Sequence, residues 1–432
     1  MATAEEHYAR AQTVLPGGVT AAARFNRYLD RPFFMSRAEG SLVYELDDRP
    51  FIDMNTSFGA TLLGHGHPQI AAALNEAARL GIGCGFEYRA QAELAEKICA
   101  AIPSAEMVRF TLSGTETTWY AVRLARVYTG RSKVIKLEGH FHGFNDYLQF
   151  NYWPRPEDSL PRIHAESPGF PPENEERVIV LPYNDLPALE RAIAEQDGDI
   201  AAVFMEPVNF NSGGIQPLPG YLEEVRRITR THGIVLVFDE ILSGFRTGVD
   251  CMQGYYGVTP DATTFGKAIG GGVPLSAFAG SRDLMRCVAP QGAMMHSGTY
   301  NANAVNILCG NAFFDVVNEP GFYEPLLRRA DTLHSGLNDI FASVGLEARA
   351  HGVGCRFGLL FGAAAQQTPE RYSDVIGQDW QLAFALFTEA YQRGVYFNPG
   401  WHHGISAAHS DQDIARVLEV VDEAARAVAE RR

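Results

Sequence analysis

The sequence predicts an α/β protein with a parallel sheet that helices cover on both faces. Between residues 107 and 280, short apolar strands alternate with helical segments, an order typical of such sheets. The strand in residues 235–239, VLVFD, is apolar on both faces, as expected for a buried parallel strand. The chain of 432 residues is 46% hydrophobic and 20% charged, so it has enough apolar surface for a folded core and is not a disordered chain.

The first 106 residues are predicted to hold helices and one hairpin. Residues 1–13 form a short helix, and residues 42–53 alternate around the turn DDRP as a β-hairpin. Residues 68–80 and 90–101 carry apolar side chains at helical spacing, which predicts two amphipathic helices.

The α/β region begins at residue 107. The strand MVRFTLS runs into SGTE, and the helix that follows ends at Gly130, a residue type that commonly closes helices. Later strands are predicted in KVIKLEG, RVIVLPYND, IAAVFMEP and GIVLVFDEI, and at 261–266 and 276–280, with helices at 187–196, 219–231, 298–317 and 321–342 and a separate α+β lobe at 343–432.

Charge and cysteine content narrow the functional class. The net charge of −15 argues against a nucleic-acid partner, which would need a basic face. No apolar stretch reaches the roughly 20 residues of a membrane helix, so no membrane partner is expected. The cysteines contain no CxxC pair, which predicts reduced thiols and a cytoplasmic location; they are Cys84, Cys99, Cys251, Cys287, Cys309 and Cys355.

Two reactive side chains follow predicted strands. Asp239 ends the buried strand, where ligands of α/β sheets commonly sit; the alternative is a helix cap or a salt bridge. Lys267 stands among apolar residues and glycines, where poor solvation lowers the pKa of an amine and makes it a nucleophile for Schiff-base chemistry. The alternative is a surface lysine before a flexible turn.

Two further segments add binding groups. Ser113, Gly114 and Thr115 lie between a strand and a helix, where free backbone N–H groups favour an anion such as phosphate; a simple capping box is the alternative. Phe141 offers an aromatic face for a flat ring. Its neighbours His140 and His142 lack acidic or cysteine partners at zinc-like spacing, so no metal is predicted.

Together these groups fit one cofactor, pyridoxal 5′-phosphate. Its aldehyde needs a lysine, its phosphate needs an anion site, and its pyridine nitrogen needs an acid that keeps it protonated. The sequence places such groups at successive strand ends in chain order.

The same segments make the chain resemble the class-III aminotransferases, pyridoxal-phosphate enzymes of fold type I, and within them the glutamate-1-semialdehyde aminomutase branch. The resemblance runs from LPGGVTAAAR to the C-terminal lobe, through SGTETTWYAVRLARVYTGR, KLEGHFHGFND, MEPVNFNSGG, FDEILSGFRTG, TTFGKAIGGGVP and HSGTYNANAVN. It implies a large domain at 61–317 with a mainly parallel seven-stranded sheet, and a smaller α+β domain built from 1–60 and 318–432.

The resemblance also implies residue roles. Lys267 would form the Schiff base and move protons, and Asp239 would pair with the pyridine nitrogen. Thr299 would reach the phosphate of the neighbouring subunit, which implies a homodimer. The other implied cofactor contacts are Ser113, Gly114, Thr115, Phe141, His142, Glu206, Asn211 and Ile241, and the implied substrate contacts are Arg24 for a carboxylate, Phe58, Trp401 and His402.

The sequence departs from the aminomutase branch at the substrate pocket. Ala21–Ala23 precede Arg24 where that branch has a serine and a proline, and Met295–His296 replace an aromatic residue. Trp401, His402 and His403 stand where the branch carries a glutamate. These changes favour an aminotransferase that passes the amino group of a bulky or aromatic amino acid to an oxo acid. The alternatives are the aminomutase itself, another isomerase on this scaffold, or a binding protein that has lost the chemistry.

Overall fold

A computed structural model describes residues 3–81, 85–196 and 198–431. Cys84 lies outside the described residues. Cys99, Cys251, Cys287, Cys309 and Cys355 are free thiols. Within the described ranges, no helix has both the length and the apolar character that crossing a bilayer requires.

A seven-stranded sheet forms the centre of the molecule and confirms the predicted fold class. All of its strands are parallel except Ser276–Gly280, which runs antiparallel to both of its neighbours. From one edge to the other, the order is Met107–Thr111, Ser276–Gly280, Ala262–Phe265, Val235–Asp239, Ile200–Met205, Lys133–Leu137 and Val178–Leu181.

Helices cover both faces of this sheet. Val235 and Val237 point to the face that packs against the helix Gly114–Thr129. Leu236 and Phe238 point to the opposite face, where the helices Leu186–Glu195 and Tyr221–Thr231 pack. The apolar run of the central strand therefore has a partner on each side, as the sequence predicts.

Both ends of the chain contribute to a four-stranded sheet beside the large one. Val395 pairs in parallel with Ile52, so the C-terminal region adds a strand to the N-terminal hairpin. The domain boundaries at residues 60 and 317 stay a prediction. The strands of this sheet are Met35–Glu39, Leu42–Glu45, Pro50–Asp53 and Val395–Tyr396; the smaller sheets contain Ala348–Val353, Arg356–Phe361 and His402–Gly404, and Phe25–Asn26 with Arg31–Pro32.

The helices lie close to the predicted ranges, but the predicted start of one helix is wrong. The helix predicted at 298–317 begins only at Ala304, because Ala302 has a left-handed φ of 57° and the Asn303 side chain caps the helix by accepting from the Asn306 N–H. The remaining α-helices are Ala4–Gln12, Thr56–Gly59, Pro68–Leu80, Arg89–Ala101, Cys251–Tyr256, Arg282–Met285, Tyr323–Val344, Trp380–Gln392 and Asp411–Ala429.

Candidate active site

The carboxyl ends of the parallel strands open into a cavity of about 400 Å³, here called the inner cavity. Ligands of α/β sheets bind at this edge because loops diverge there and leave a crevice. The inner cavity brings together ten residues that the sequence singles out: Ser113, Gly114, Thr115, Phe141, His142, Glu206, Asn211, Asp239, Ile241 and Lys267.

Asp239 is the last residue of its strand and only 2% exposed. Its Oδ2 lies 2.7 Å from Nδ1 of His142, and its Oδ1 accepts from Thr264 Oγ1 at 2.9 Å and from the Ile241 N–H at 3.1 Å. Burial lowers the pKa of His142, so its ring is neutral at pH 7 and its Nδ1–H donates to the carboxylate. Three donors therefore fix the orientation of the acid.

Glu206 follows the neighbouring strand and is also buried. Its Oε1 accepts from the Phe141 N–H at 2.9 Å, and its Oε2 accepts from Nδ2 of Asn211 at 2.8 Å. Burial, together with the charge of Asp239, raises the pKa of Glu206 to about 8. This carboxyl group thereby ties the Phe141 loop and Asn211 to the strand end.

Lys267 projects from a strained position just after a strand. Its φ of 48° is left-handed, a conformation that costs a non-glycine residue about 1–3 kcal/mol. Burial lowers the pKa of its amine to about 7, and the positive charges of Arg356 and Arg246 act in the same direction. Nζ has no hydrogen-bond or ion-pair partner among residues 3–81, 85–196 and 198–431. The structure thus places a partly neutral, unpaired amine in the cavity.

The helix Gly114–Thr129 begins at the wall of the inner cavity that Ser113 and Thr115 line. The Ser113 side chain caps it by accepting from the Glu116 N–H at 3.2 Å, and Thr115 Oγ1 accepts from the Phe144 N–H at 3.1 Å. A Cβ on Gly114 would lie 2.9 Å from Cδ1 of Ile241, so glycine lets this wall close. The first N–H groups of the helix have no intrahelical partner and suit an anion.

Aromatic rings surround Phe141. Its ring centroid lies 5.2 Å from that of Phe144 and 5.2 Å from that of Tyr152, and Trp153 stacks at 6.1 Å. The indole N–H of Trp153 donates to the Asn211 carbonyl at 2.7 Å. These contacts hold the ring of Phe141 at the cavity wall.

Two of the predicted substrate residues line a second, outer cavity of about 620 Å³. Arg24 is exposed there and donates to Thr20, and Phe58 lies on the same wall. Asn55, Ser57 and Phe58 face this outer cavity while Ala60 faces the inner one, so residues 55–60 connect the two.

The structure does not bring the remaining predicted residues to either cavity. The Trp401 ring is buried at 4.9 Å from Trp380, and His402 is buried beside Arg356. Thr299 is exposed on the surface. Their roles toward substrate and cofactor stay predictions. In the described part of the chain, three or more His, Cys, Asp or Glu side chains do not gather at any point as metal ligands would.

Sequence reasoning missed Arg356 and gave Arg246 no role. Both are buried at 1% exposure and influence Lys267. The available signal for Arg356 was a single charge within the apolar strand RFGLLF.

Comparisons with known proteins identify the family and the fold. The class-III aminotransferase family matches residues 25–407. A protein named glutamate-1-semialdehyde 2,1-aminomutase from Nitrosospira multiformis is 39% identical over 425 residues, covering 98% of this chain and 99% of that protein. An omega-transaminase from Sphaerobacter thermophilus superposes with a TM-score of 0.93 at 29% identity, covering 99% and 98% of the two chains. A transaminase with PLP bound superposes with a TM-score of 0.90 at 27% identity, over 100% and 99%.

Proposed function

The chain belongs to the class-III aminotransferases, which use pyridoxal 5′-phosphate, and from this premise we propose that it is a glutamate-1-semialdehyde 2,1-aminomutase. The observation that carries the proposal is the 39% identity, over 98% of the chain, to a relative of that name. As the name states, the amino group moves from C2 to C1 within one substrate molecule. This proposal reverses the order favoured by the sequence, which places intermolecular transamination first.

The inner cavity fits the cofactor because it combines an amine, a buried acid and a helix N-terminus in about 400 Å³. When bound, pyridoxal 5′-phosphate supplies an aldehyde that condenses with amines and a ring that withdraws electrons from the carbon bearing the amino group. The N–H groups around Ser113, Gly114 and Thr115 would hold the phosphate. Asp239 would hold a proton at the pyridine nitrogen.

Lys267 carries out the proton movements. A pKa of about 7 leaves a large neutral fraction of Nζ at physiological pH, so this amine can take a proton from one substrate carbon and return it at another. His142 and Thr264 keep the Asp239 carboxylate in one orientation while this happens. Glu206 holds the side chain of Asn211 in the inner cavity.

Transamination of a bulky or aromatic amino acid is the second candidate. The outer cavity favours it, since Phe33, Phe34 and Phe58 line a space of about 620 Å³ that a small aliphatic substrate would not fill. Aromatic walls of this kind suit an aromatic side chain.

The deciding experiment supplies the purified holoenzyme with glutamate-1-semialdehyde and no oxo acid. We expect conversion to the isomeric amino ketone, measured by ¹H NMR because the two isomers have the same mass. Lys267→Ala should lower the rate at least about 10⁴-fold, because the proton-moving amine is gone. Lys133→Ala is the matched control, since its Nζ donates to Gln196 and Lys133 lies outside the inner cavity.

Other outcomes would contradict the aminomutase proposal. Turnover of an aromatic amino acid that depends on added oxo acid, without isomerisation, would support the second candidate. A protein that shows no visible absorbance with added pyridoxal 5′-phosphate would refute both candidates.

A cytoplasmic homodimer completes the proposal. Thr299 is exposed and lies away from the inner cavity of its own chain, which supports a role at the phosphate of a neighbouring subunit. Light scattering should give twice the chain mass of 47.4 kDa.

A further inference from the structure

Two buried arginines lie side by side behind the cavities. Arg246 and Arg356 are each 1% exposed. Both flank Gly59: a Cβ built on that glycine would lie 3.0 Å from Nη2 of Arg246 and 3.2 Å from Nη1 of Arg356. Like charges at this separation repel, so each guanidinium raises the cost of burying the other.

The partners of these arginines are neutral. Arg246 donates from Nε to the Leu242 carbonyl at 2.8 Å and from Nη2 to the Gly59 carbonyl at 2.8 Å. Within residues 3–81, 85–196 and 198–431, neither guanidinium forms an ion pair with a carboxylate. Buried charges in proteins are ordinarily paired, whereas the carboxylate of Asp53 acts on Arg356 only through a longer-range charge interaction.

Arg356 has N–H donors that its described partners do not use. Its Nη1 donates to Thr56 Oγ1 at 3.0 Å, and its Nη2 donates to the Asn55 carbonyl at 3.3 Å and to His402 Nδ1 at 2.6 Å. Burial, together with Arg356, holds the pKa of His402 well below its ordinary value, so His402 is neutral and can accept at Nδ1. The Nε–H of Arg356 is buried without any partner in the described part of the chain.

A strained turn at residues 55–59 supplies hydrogen-bond acceptors to both arginines. Thr56, Ser57 and Phe58 have φ values of 50°, 52° and 55°, all left-handed, and Gly59 follows at 90°. This turn presents the Asn55 carbonyl and Thr56 Oγ1 to Arg356, and the Gly59 carbonyl to Arg246. Three successive non-glycine residues in this conformation are costly, and such strain is retained mainly at functional sites.

The turn also connects the arginine pair to the substrate space. Its residues Ser57 and Phe58 line the outer cavity, and Ala60 lines the inner one beside Lys267. The turn that the two arginines contact therefore lies against both cavities, whose linings also carry the carboxylates of Asp53, Glu206 and Asp239.

We propose that Arg356 binds the carboxylate of the amino substrate, a role that rests on the proposed amino-transfer function. A carboxylate supplies an ion-pair partner that neither guanidinium has within the described part of the chain, and its oxygen accepts from the unpaired Nε–H in a charge-assisted hydrogen bond. The exposed Arg24 then serves the entrance, whereas Arg356 determines specificity for carboxylated substrates.

The test compares Arg356→Met with Arg349→Met. Arg349 lies on the neighbouring strand, and its Nε donates to the Ala365 carbonyl, so it controls for loss of an arginine from the same sheet. We expect Arg356→Met to raise the KM for glutamate-1-semialdehyde about 100-fold with a smaller change in kcat, because a carboxylate contact made in both the ground and transition states is lost. Arg349→Met should stay within about 3-fold of the wild type.

A pair of amines separates a carboxylate effect from a general one. Binding of the amino ketone product and of 1-aminobutan-2-one, its analogue without the carboxylate, is followed through the absorbance of the bound cofactor. Arg356→Met should weaken binding of the amino ketone product about 100-fold and of 1-aminobutan-2-one less than about 3-fold, and Arg356→Lys should restore part of the affinity for the product. Equal losses for both compounds would overturn the proposal.

Calorimetric titration with pentanoate gives a readout that does not require turnover. The wild type and Arg349→Met should bind this carboxylate, and Arg356→Met, shown to be folded by circular dichroism, should not. Should the wild type bind pentanoate but fail to process any amino substrate, the proposed function fails while the carboxylate role stands. Unchanged pentanoate binding in folded Arg356→Met refutes the carboxylate role alone.

Discussion

Asp239 and Arg356 are both buried charged side chains that influence Lys267, but their surroundings differ. Asp239 accepts three hydrogen bonds, from His142, Thr264 and the Ile241 N–H, and both of its oxygens are used. Arg356 has three neutral partners, an Nε–H that is buried without a partner in the described part of the chain, and a second guanidinium beside it.

The difference corresponds to how long a ligand stays. A group that holds a resident cofactor can be fixed completely by the protein, because its ligand does not leave between turnovers. A group that binds substrate must exist without its ligand part of the time. Its unpaired donor then favours rebinding, since pairing a buried charge recovers part of the desolvation cost.

Of Asp239→Asn, Glu206→Gln and Ser113→Ala, the first should give the largest effect, and it tests the cofactor-holding side of the comparison. The amide removes the negative charge and places N–H groups toward the Nδ1–H of His142. We expect kcat to fall about 10³-fold, the loss typical of removing one preorganised electrostatic group. Unlike Arg356→Met, this variant should affect binding of the amino ketone product and of 1-aminobutan-2-one equally, because the pyridine nitrogen is common to both complexes.

Asp261→Asn is the matched control for this prediction. Asp261 stands at the amino end of the adjacent strand, pairs with Arg226 at 2.7 Å, and lies away from the inner cavity. Its loss should change stability but not kcat. If Asp239→Asn discriminated between the two amines, the division between cofactor-holding and substrate-holding groups would be wrong.

The meeting of Asp239 and Lys267 at one sheet edge was predictable from sequence, and the position of Arg356 was not. Asp239 and Lys267 each follow a strand in one α/β region, and the parallel order alone brings such ends to one edge of the sheet. Arg356 depends on contacts with Thr56 and His402, which lie 300 and 46 residues away in the chain. No local sequence pattern predicts these contacts of Arg356. The aromatic character of Trp401 was likewise visible, but not that its ring packs against Trp380.

Glu206→Gln should give an intermediate effect, visible in the pH dependence of stability. Folding raises the pKa of Glu206 from 4.5 to about 8, so the folded protein binds more protons than the unfolded chain between those values. The protonated Glu206 stabilises the folded state. This stabilisation is fully present below pH 4.5 and is lost as the pH rises toward 8. Glutamine removes the titration, so the wild type should lose on the order of 3 kcal/mol relative to the variant between pH 5 and 8.

Urea denaturation at several pH values, without added cofactor, measures this difference. The slope with pH is the informative quantity, because the amide also turns an N–H toward Asn211 and costs a pH-independent amount. Glu224→Gln, on an exposed helix face beside Arg227, should leave the slope as in the wild type. Parallel pH profiles for wild type and Glu206→Gln would show that Glu206 is not held protonated.

Ser113→Ala should give the smallest effect. It extends the comparison to the predicted phosphate site at Ser113. Ser113 caps the helix Gly114–Thr129 by accepting from the Glu116 N–H, and losing such a cap costs about 1 kcal/mol of stability. If Ser113 also contacts the phosphate, the dissociation constant of pyridoxal 5′-phosphate should rise about 10-fold, the equivalent of about 1.4 kcal/mol. Thermal unfolding and equilibrium dialysis measure the two quantities separately.

Ser410→Ala distinguishes a cap from a ligand-binding group. Ser410 caps the helix Asp411–Ala429 in the same way, accepting from the Asp413 N–H at 3.1 Å, and lies outside the inner cavity. It should lose similar stability and keep the full cofactor affinity. Equal cofactor affinity in both variants would assign Ser113 to helix capping alone. The phosphate would then depend on backbone N–H groups, a fixed arrangement like that around Asp239 and unlike the unpaired donor of Arg356.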